Sequence, residues 1–197
     1  MWLGLASIAL ILLEAQFKWN VLREIVLVIV VVSLVIGVFQ HSEGWLTGWA
    51  YTIAGVLYVG VIGTYFILVR NLPNEIGLLW TILALLTAWA NDTGAFFAGT
   101  RLGRHGFFTN ISPKKTWEGA LGGLAASILT MLAASVLFQI PLLLSILFGA
   151  GLSVAATLGD LAESLIKRQT GVKDSSNIIP GHGGLLDRID SLLSAAV

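Results

Sequence analysis

Cysteine is absent from this chain of 197 residues, which excludes disulfides, thiolate metal sites and cysteine nucleophiles. Charge is scarce as well: only 11% of the residues are charged, whereas a soluble domain typically has about 25%. The eleven basic and eleven acidic residues cancel, so no global field indicates nucleic acid as a partner. No alternation of apolar and polar residues is long enough for a membrane β-barrel. The whole chain is 56% hydrophobic, with a mean hydropathy of +0.88, and this composition predicts a helical membrane protein.

Long apolar runs predict the membrane helices. A spanning helix needs about 20 mostly apolar residues, and five runs approach that length, over residues 21–39, 45–69, 76–99, 119–138 and 142–166. Residues 1–13 form a shorter apolar run without a basic n-region or cleavage site, which favours a short or truncated membrane helix over a signal peptide. We expect an all-α bundle of about five to six transmembrane helices in one domain. Residues 191–197 resemble the first turns of another helix, so we also expect a C-terminal helix beyond them.

The order of the spans predicts which polar segments meet. Two spans separate the polar loops 100–117 and 167–190, so both loops should lie on one side of the membrane. Those loops hold eight basic residues: Arg101, Arg104, Lys114, Lys115, Lys167, Arg168, Lys173 and Arg188. The loops expected on the opposite side hold three: Lys18, Arg23 and Arg70. The excess of basic residues favours the cytoplasm for the polar side of the membrane.

Carboxylates collect towards the same side. Asp92 lies about sixteen residues into its helix, near the end that leads to loop 100–117. Asp160 and Glu163 lie near the end of the last span, and Asp187 and Asp190 repeat their three-residue spacing. A carboxylate in a membrane is more often functional than structural because burying it is costly. Four carboxylates on two helix ends could bridge a pair of hard cations, which prefer oxygen ligands; Glu163 and Asp190 could equally be salt-bridge partners.

Cationic side chains accompany these carboxylates. Lys114, Lys115 and Lys173 lie in or beside turn-forming sequence. Alone, each would more often be a topology or headgroup residue, but beside a metal cluster phosphate binding is the better interpretation. His182, in the sequence Pro-Gly-His-Gly-Gly, could cap a turn or face a phosphate.

Other polar residues are interpreted as structural. Glu118 suits the N-terminal end of its helix, and His41 and His105 are expected at the surface. The metalloprotease, serine-hydrolase and P-loop motifs do not occur in the sequence.

At this point the residues resemble a family. The stretch 164–190 reads Ser-x-apolar-Lys-Arg, four residues, Lys-Asp, and then Pro-x-His-Gly-Gly-x-x-Asp-Arg-x-Asp. This pattern is similar to the signature of phosphatidate cytidylyltransferase (CDP-diacylglycerol synthase), an integral membrane enzyme. Two upstream segments, Trp-Ala-Asn-Asp-Thr-Gly-Ala at 89–95 and Ser-Pro-Lys-Lys-Thr-Trp-Glu-Gly at 112–119, also resemble the family. Asn91 stands where alanine or glycine is commoner, and the likeness covers roughly residues 78–197.

The resemblance implies that CTP and phosphatidic acid, a membrane lipid, give CDP-diacylglycerol and pyrophosphate with Mg²⁺, and two metal ions are expected. Two polyanions must meet, so cationic charge is needed to offset their repulsion. It implies metal ligation by Asp160, Asp187, Glu163 and Asp190, of which Asp160, Asp187 and Asp190, with Lys173, would be catalytic. It implies substrate binding by Asp92, Lys114, Lys115, Lys167, Arg168, His182 and Arg188.

Two alternatives stay open. One is a nucleotidyltransferase that acts on a different lipid phosphate. The other is a cation-coupled transporter, which the clustering of charges at one interface disfavours. The sequence does not give the oligomeric state, and a homodimer is one arrangement that it leaves open.

Overall fold

The computed structural model describes residues 2–39, 43–169 and 171, and the regular structure in those ranges is helical apart from one isolated β-bridge. The helices are α1 Trp2–Phe17, α2 Leu22–Phe39, α3 Trp45–Gly55, α4 Ile62–Arg70, α5 Ile76–Leu102, α6 Trp117–Phe138 and α7 Leu142–Gln169. A π-helical segment, Val56–Val61, joins α3 to α4. Among the described residues, five helical runs are long and apolar enough to cross a membrane, and α1 is shorter. The predicted all-α membrane architecture is confirmed, with bounds within three residues of those predicted for the five spans.

The described residues form two compact units, the first ending at Leu78 and the second beginning at Leu79. In the first unit, Ile11 of α1, Ile29 of α2 and Val56 form a buried apolar cluster. The buried Glu14 accepts a hydrogen bond from the backbone N–H of Val21 at 3.2 Å, which connects the end of α1 to the start of α2. The single domain expected from the sequence stays a prediction.

The second unit contains most of α5 with α6 and α7. Small residues let these helices approach closely. A Cβ atom on Gly94 of α5 would lie 2.6 Å from the Cβ of Ala126 on α6. One on Gly149 of α7 would lie 2.8 Å from the Cα of Ile128. Larger side chains at these two glycines would therefore push the helices apart.

Local sequence directs the chain at both ends of α6. Thr116 is the N-cap, and its hydroxyl accepts a hydrogen bond from the backbone N–H of Gly119 at 3.1 Å. At the other end, Gln139 adopts a left-handed conformation with φ of 55°, and Pro141 immediately precedes α7. The turn is tight, so α7 returns antiparallel to α6. The C-terminal ends of α5 and α7 and the N-terminal end of α6 thus lie at the same end of the second unit.

Candidate active site

A cavity of about 180 Å³ lies at this end of the second unit. Its walls come from the second half of α5, the residues just before α6, the start of α6, and α7. Four charged residues are among those that line it: Asp92, Lys114, Lys115 and Asp160. The structure therefore brings together two of the predicted carboxylates and two of the predicted lysines, from three separate segments of the chain.

Lys115 and Asp160 form an ion pair across the cavity. The Nζ atom of Lys115 lies 2.7 Å from Oδ2 of Asp160, and their side chains are 22% and 36% exposed. The hydroxyl of Ser164, one turn further along α7, lies 3.5 Å from Oδ1 of Asp160. Both side chains line the cavity, although the Nζ atom of Lys115 is itself buried against its partner. A ligand that separated the pair would meet one cation and one anion.

Glu163 and Lys167 form a second pair on α7. Their Oε2 and Nζ atoms are 2.8 Å apart, and the side chain of Glu163 is only 1% exposed. Neither residue is among the described residues that line the cavity. Although Asp160 and Glu163 are only three residues apart on α7, they pair with different lysines. The metal role of Glu163 stays a prediction.

Arg168 approaches the loop between α5 and α6. Its Nε atom lies 3.5 Å from the backbone carbonyl of Ile111, at the outer limit for a hydrogen bond. This contact agrees with the expectation that the end of α7 and the loop at 100–117 lie on one side. The assignment of Lys167 and Arg168 to substrate binding stays a prediction.

The connection over residues 103–116 is folded by its own backbone hydrogen bonds. The N–H of Phe107 donates to the carbonyl of Lys115 at 2.8 Å, and the N–H of Trp117 donates to the carbonyl of His105 at 2.9 Å. The rings of Phe107 and Trp117 meet with centroids 4.5 Å apart. These contacts pair the two arms of the connection, so that Lys114 and Lys115 on the returning arm line the cavity.

Glu118, in the first turn of α6, fastens the other arm of this connection. One oxygen of its carboxylate accepts hydrogen bonds from the backbone N–H groups of Arg104 and His105, at 3.1 and 3.3 Å. The other oxygen lies 2.6 Å from Nδ1 of His105. The sequence placed Glu118 correctly near a helix N-terminus but did not reveal these loop partners. His105 is exposed, as expected, yet it has the partner that its sequence context did not indicate.

Asn91 is a further residue whose role the sequence did not disclose. It is buried beside Asp92, and its Oδ1 accepts a hydrogen bond from the hydroxyl of Ser153 on α7 at 2.6 Å. A Cβ atom on Gly123 of α6 would lie 2.6 Å from the same oxygen. Asn91 also lines the cavity, and its contact with Ser153 joins α5 to α7. The short distance from Gly123 leaves no room for a side chain at that position of α6.

Several predicted site residues lie outside the described residues: Lys173, His182, Asp187, Arg188 and Asp190. Within residues 2–39, 43–169 and 171, no three histidines or carboxylates are grouped as a metal site would require. The cavity nevertheless offers carboxylate oxygens from Asp92 and Asp160, the donor type that Mg²⁺ prefers. These two residues fit part of a magnesium site, and the predicted ligand set stays a prediction.

Comparison with known proteins gives an independent result. The model of the cytidylyltransferase family matches residues 1–197. A phosphatidate cytidylyltransferase of Bacillus subtilis (strain 168) is 37% identical over 207 residues, which cover 97% of this chain and 73% of that protein. One of Staphylococcus haemolyticus (strain JCSC1435) is 42% identical over 146 residues, 73% of this chain and 55% of that protein. One of Brucella suis biovar 1 (strain 1330) is 37% identical over 158 residues, 77% of this chain and 56% of that protein.

The chain thus spans between 55% and 73% of the length of these three relatives. The family match extends over the N-terminal helices, beyond the part of the chain that carries the recognised motifs. The family match and the names of the relatives agree with the resemblance that the motifs carry and with the prediction of an enzyme. The chain belongs to the cytidylyltransferase family.

Proposed function

We propose that this chain transfers a cytidylyl group from CTP to phosphatidic acid, giving CDP-diacylglycerol and pyrophosphate. The observation that carries the proposal is the cavity in which Asp92 and Asp160 lie with Lys114 and Lys115. A reaction between two polyanions needs this combination, since carboxylates can hold a hard cation and lysines can hold phosphates. The names of the relatives supply phosphatidate as the acceptor and a cytidylyl group as the group that is transferred.

In the proposed reaction, a phosphate oxygen of phosphatidic acid attacks the α-phosphorus of CTP. One P–O bond forms, and the bond between the α-phosphorus and the bridging oxygen breaks as pyrophosphate departs. The attacking oxygen is already ionised at neutral pH, so no strong general base is needed. Catalysis then depends on holding the two phosphates together and offsetting their charge.

Each of the four charged residues that line the cavity has a part in the proposed reaction. Lys114 and Lys115 bind the triphosphate or the lipid phosphate through charge-assisted hydrogen bonds. Asp160 and Asp92 would hold Mg²⁺, or Asp92 would orient the nucleotide. When bound, Mg²⁺ supplies positive charge that stabilises the phosphate oxygens and the departing pyrophosphate. A second metal ion, with ligands from Asp187 and Asp190, is part of the proposal.

A lipid substrate suits the surroundings of the cavity. Phe96 of α5 lines the cavity, and 64% of its surface is exposed. The polar wall therefore continues into an apolar surface along a helix long enough to span a membrane. A phosphate in the cavity could stay attached to acyl chains that lie against this surface. We propose that the cavity opens to the cytoplasm, where CTP is available, and that the membrane is the bacterial inner membrane.

The test is to incubate purified protein with CTP labelled at the α-phosphate, Mg²⁺ and a set of lipids. Phosphatidic acid should give labelled CDP-diacylglycerol, and diacylglycerol, which lacks the phosphate, should give no product. An isoprenyl phosphate tests the alternative of a different lipid phosphate. No labelled lipid from phosphatidic acid, or a faster reaction with the isoprenyl phosphate, would contradict the proposal.

A further inference from the structure

We propose that Glu118 is a positioning residue that acts through the connection over residues 103–116 and sets the place of Lys115 in the cavity. The inference depends on the proposed role of Lys115 in binding an anionic substrate. It gives a role to Glu118, which contacts none of the reacting atoms in this account, although it lies in the segment 112–119 that resembles the family.

The carboxylate of Glu118 has three donors within one short segment. They are the N–H of Arg104 at 3.1 Å, the N–H of His105 at 3.3 Å and Nδ1 of His105 at 2.6 Å. A helix-capping glutamate needs only the N–H groups of its own first turn. Glu118 instead receives bonds from residues 13 and 14 positions earlier in the chain. It therefore anchors the outgoing arm of the connection to the start of α6.

The outgoing arm in turn fixes the returning arm. The N–H of Phe107 donates to the carbonyl of Lys115 at 2.8 Å, and Gly106 and Thr116 form an antiparallel bridge. The backbone of Lys115 is thus tied to a segment that Glu118 holds. From that backbone the side chain of Lys115 extends to Asp160, with its Nζ atom 2.7 Å from Oδ2.

One further contact limits where the backbone of Lys115 can go. The N–H of Lys115 donates to the carbonyl of Ser112 at 3.2 Å, which closes a turn with Pro113 at its second position. Without the arm that Glu118 holds, this turn would keep its own shape but lose its fixed place relative to α7. A displacement of about 1 Å can lower a rate some hundredfold when it moves a positioned group.

Glu118→Gln keeps the size of the side chain and removes its charge, which weakens all three contacts. We expect kcat/KM to fall by about tenfold or more, because each lost bond involves a charged acceptor. The matched control is Glu24→Gln, since Glu24 is an exposed acidic residue in the first turn of α2. It removes the same charge near a helix N-terminus and should leave kcat/KM and the melting temperature close to those of the wild type.

A double-mutant cycle with Lys115→Ala separates positioning from general loss of stability. If Glu118 acts through Lys115, Glu118→Gln should lower kcat/KM by less than about threefold in the Lys115→Ala background, because the group that it places is already gone. Equal losses in both backgrounds would overturn the proposal, and so would unchanged activity of Glu118→Gln alone. If Lys115→Ala itself keeps wild-type kinetics, the proposed substrate role of Lys115 is wrong instead.

Trypsin supplies a readout that does not use activity. Trypsin cleaves the peptide bond between Arg104 and His105, and the N–H of this bond donates a hydrogen bond to Glu118. Glu118→Gln should therefore speed cleavage at this bond, whereas Glu24→Gln should leave the cleavage rate unchanged. His105→Ala removes only the imidazole contact and should speed it less. Equal cleavage of the wild type and Glu118→Gln would show that Glu118 does not hold this arm, and would contradict the inference even if activity had fallen.

Discussion

Replacing Lys115 with methionine removes a charge while keeping an unbranched side chain of similar length. In the structure this lysine pairs with Asp160 at 2.7 Å, and the two side chains are 22% and 36% exposed. The Nζ atom of Lys115 is buried, but the Asp160 side chain is exposed to water, so the carboxylate that Lys115→Met leaves behind can be hydrated. The loss of the pair should therefore cost about 1 kcal/mol or less of stability. We therefore expect Lys115→Met to remain folded, with a melting temperature only slightly below that of the wild type.

The effect on activity should be much larger than the effect on stability. A charge-assisted hydrogen bond from Lys115 to a phosphate in this cavity is worth about 1.5–3 kcal/mol. That free energy corresponds to a loss of about 10- to 150-fold in kcat/KM. Lys115→Arg should keep part of the activity, since the charge remains although its shape and reach differ.

The assay measures kcat and KM for CTP and for phosphatidic acid separately in wild type, Lys115→Met and Lys115→Arg. Lys18→Met serves as the control, because Lys18 follows α1 in the first unit and does not line the cavity. Kinetics of Lys115→Met within about twofold of the wild type for both substrates, a difference under roughly 0.5 kcal/mol, would refute the reasoning.

Three other predictions test separate parts of the account. Asp160→Asn should keep the fold but lose more than about nine tenths of the turnover, since its carboxylate is a proposed metal ligand; higher residual activity measured at saturating CTP would remove Asp160 from the ligand set. Gly123→Ala should lower the free energy of unfolding by about 1–3 kcal/mol, because its Cβ would lie 2.6 Å from Oδ1 of Asn91. Gly151→Ala, at a position on α7 with nothing within 4 Å, should leave the melting temperature unchanged or raise it, and equal effects of the two substitutions would contradict the packing argument. A cysteine at Thr109 should be protected in intact cells from a maleimide that cannot cross the membrane, and labelling there would place the connection outside the cytoplasm.

The helices could be predicted because the membrane interior requires long apolar runs, which are easy to find in a sequence. A span must be apolar for about 20 residues, and polar residues mark its ends. The π-helical segment Val56–Val61 was not predictable, since hydropathy does not distinguish hydrogen bonds to the fourth residue from those to the fifth. The bounds were therefore close while this local geometry was missed.

The candidate site could be predicted in part. Counting spans was enough to expect Asp92, Asp160 and Lys115 at one end of the bundle. Which lysine pairs with which carboxylate depends on side-chain directions, and no spacing in the sequence links Lys115 to Asp160. The contacts of Glu118 with Arg104 and His105 have no periodic signal either, because they lie in an irregular connection. The one sequence feature that could have suggested them is a glutamate in the first turn of a helix, 13 residues after a histidine.

The central claim is that the cavity lined by Asp92, Lys114, Lys115 and Asp160 binds the anionic substrates. The most direct measurement is the rate at which an amine-acylating reagent modifies each lysine of the purified protein, followed by mass spectrometry with and without CTP and Mg²⁺. The account predicts that CTP slows modification of Lys114, which is exposed in the structure, and leaves the rate at Lys18 unchanged. Equal rates at Lys114 with and without saturating CTP, in a preparation that makes labelled CDP-diacylglycerol, would contradict it.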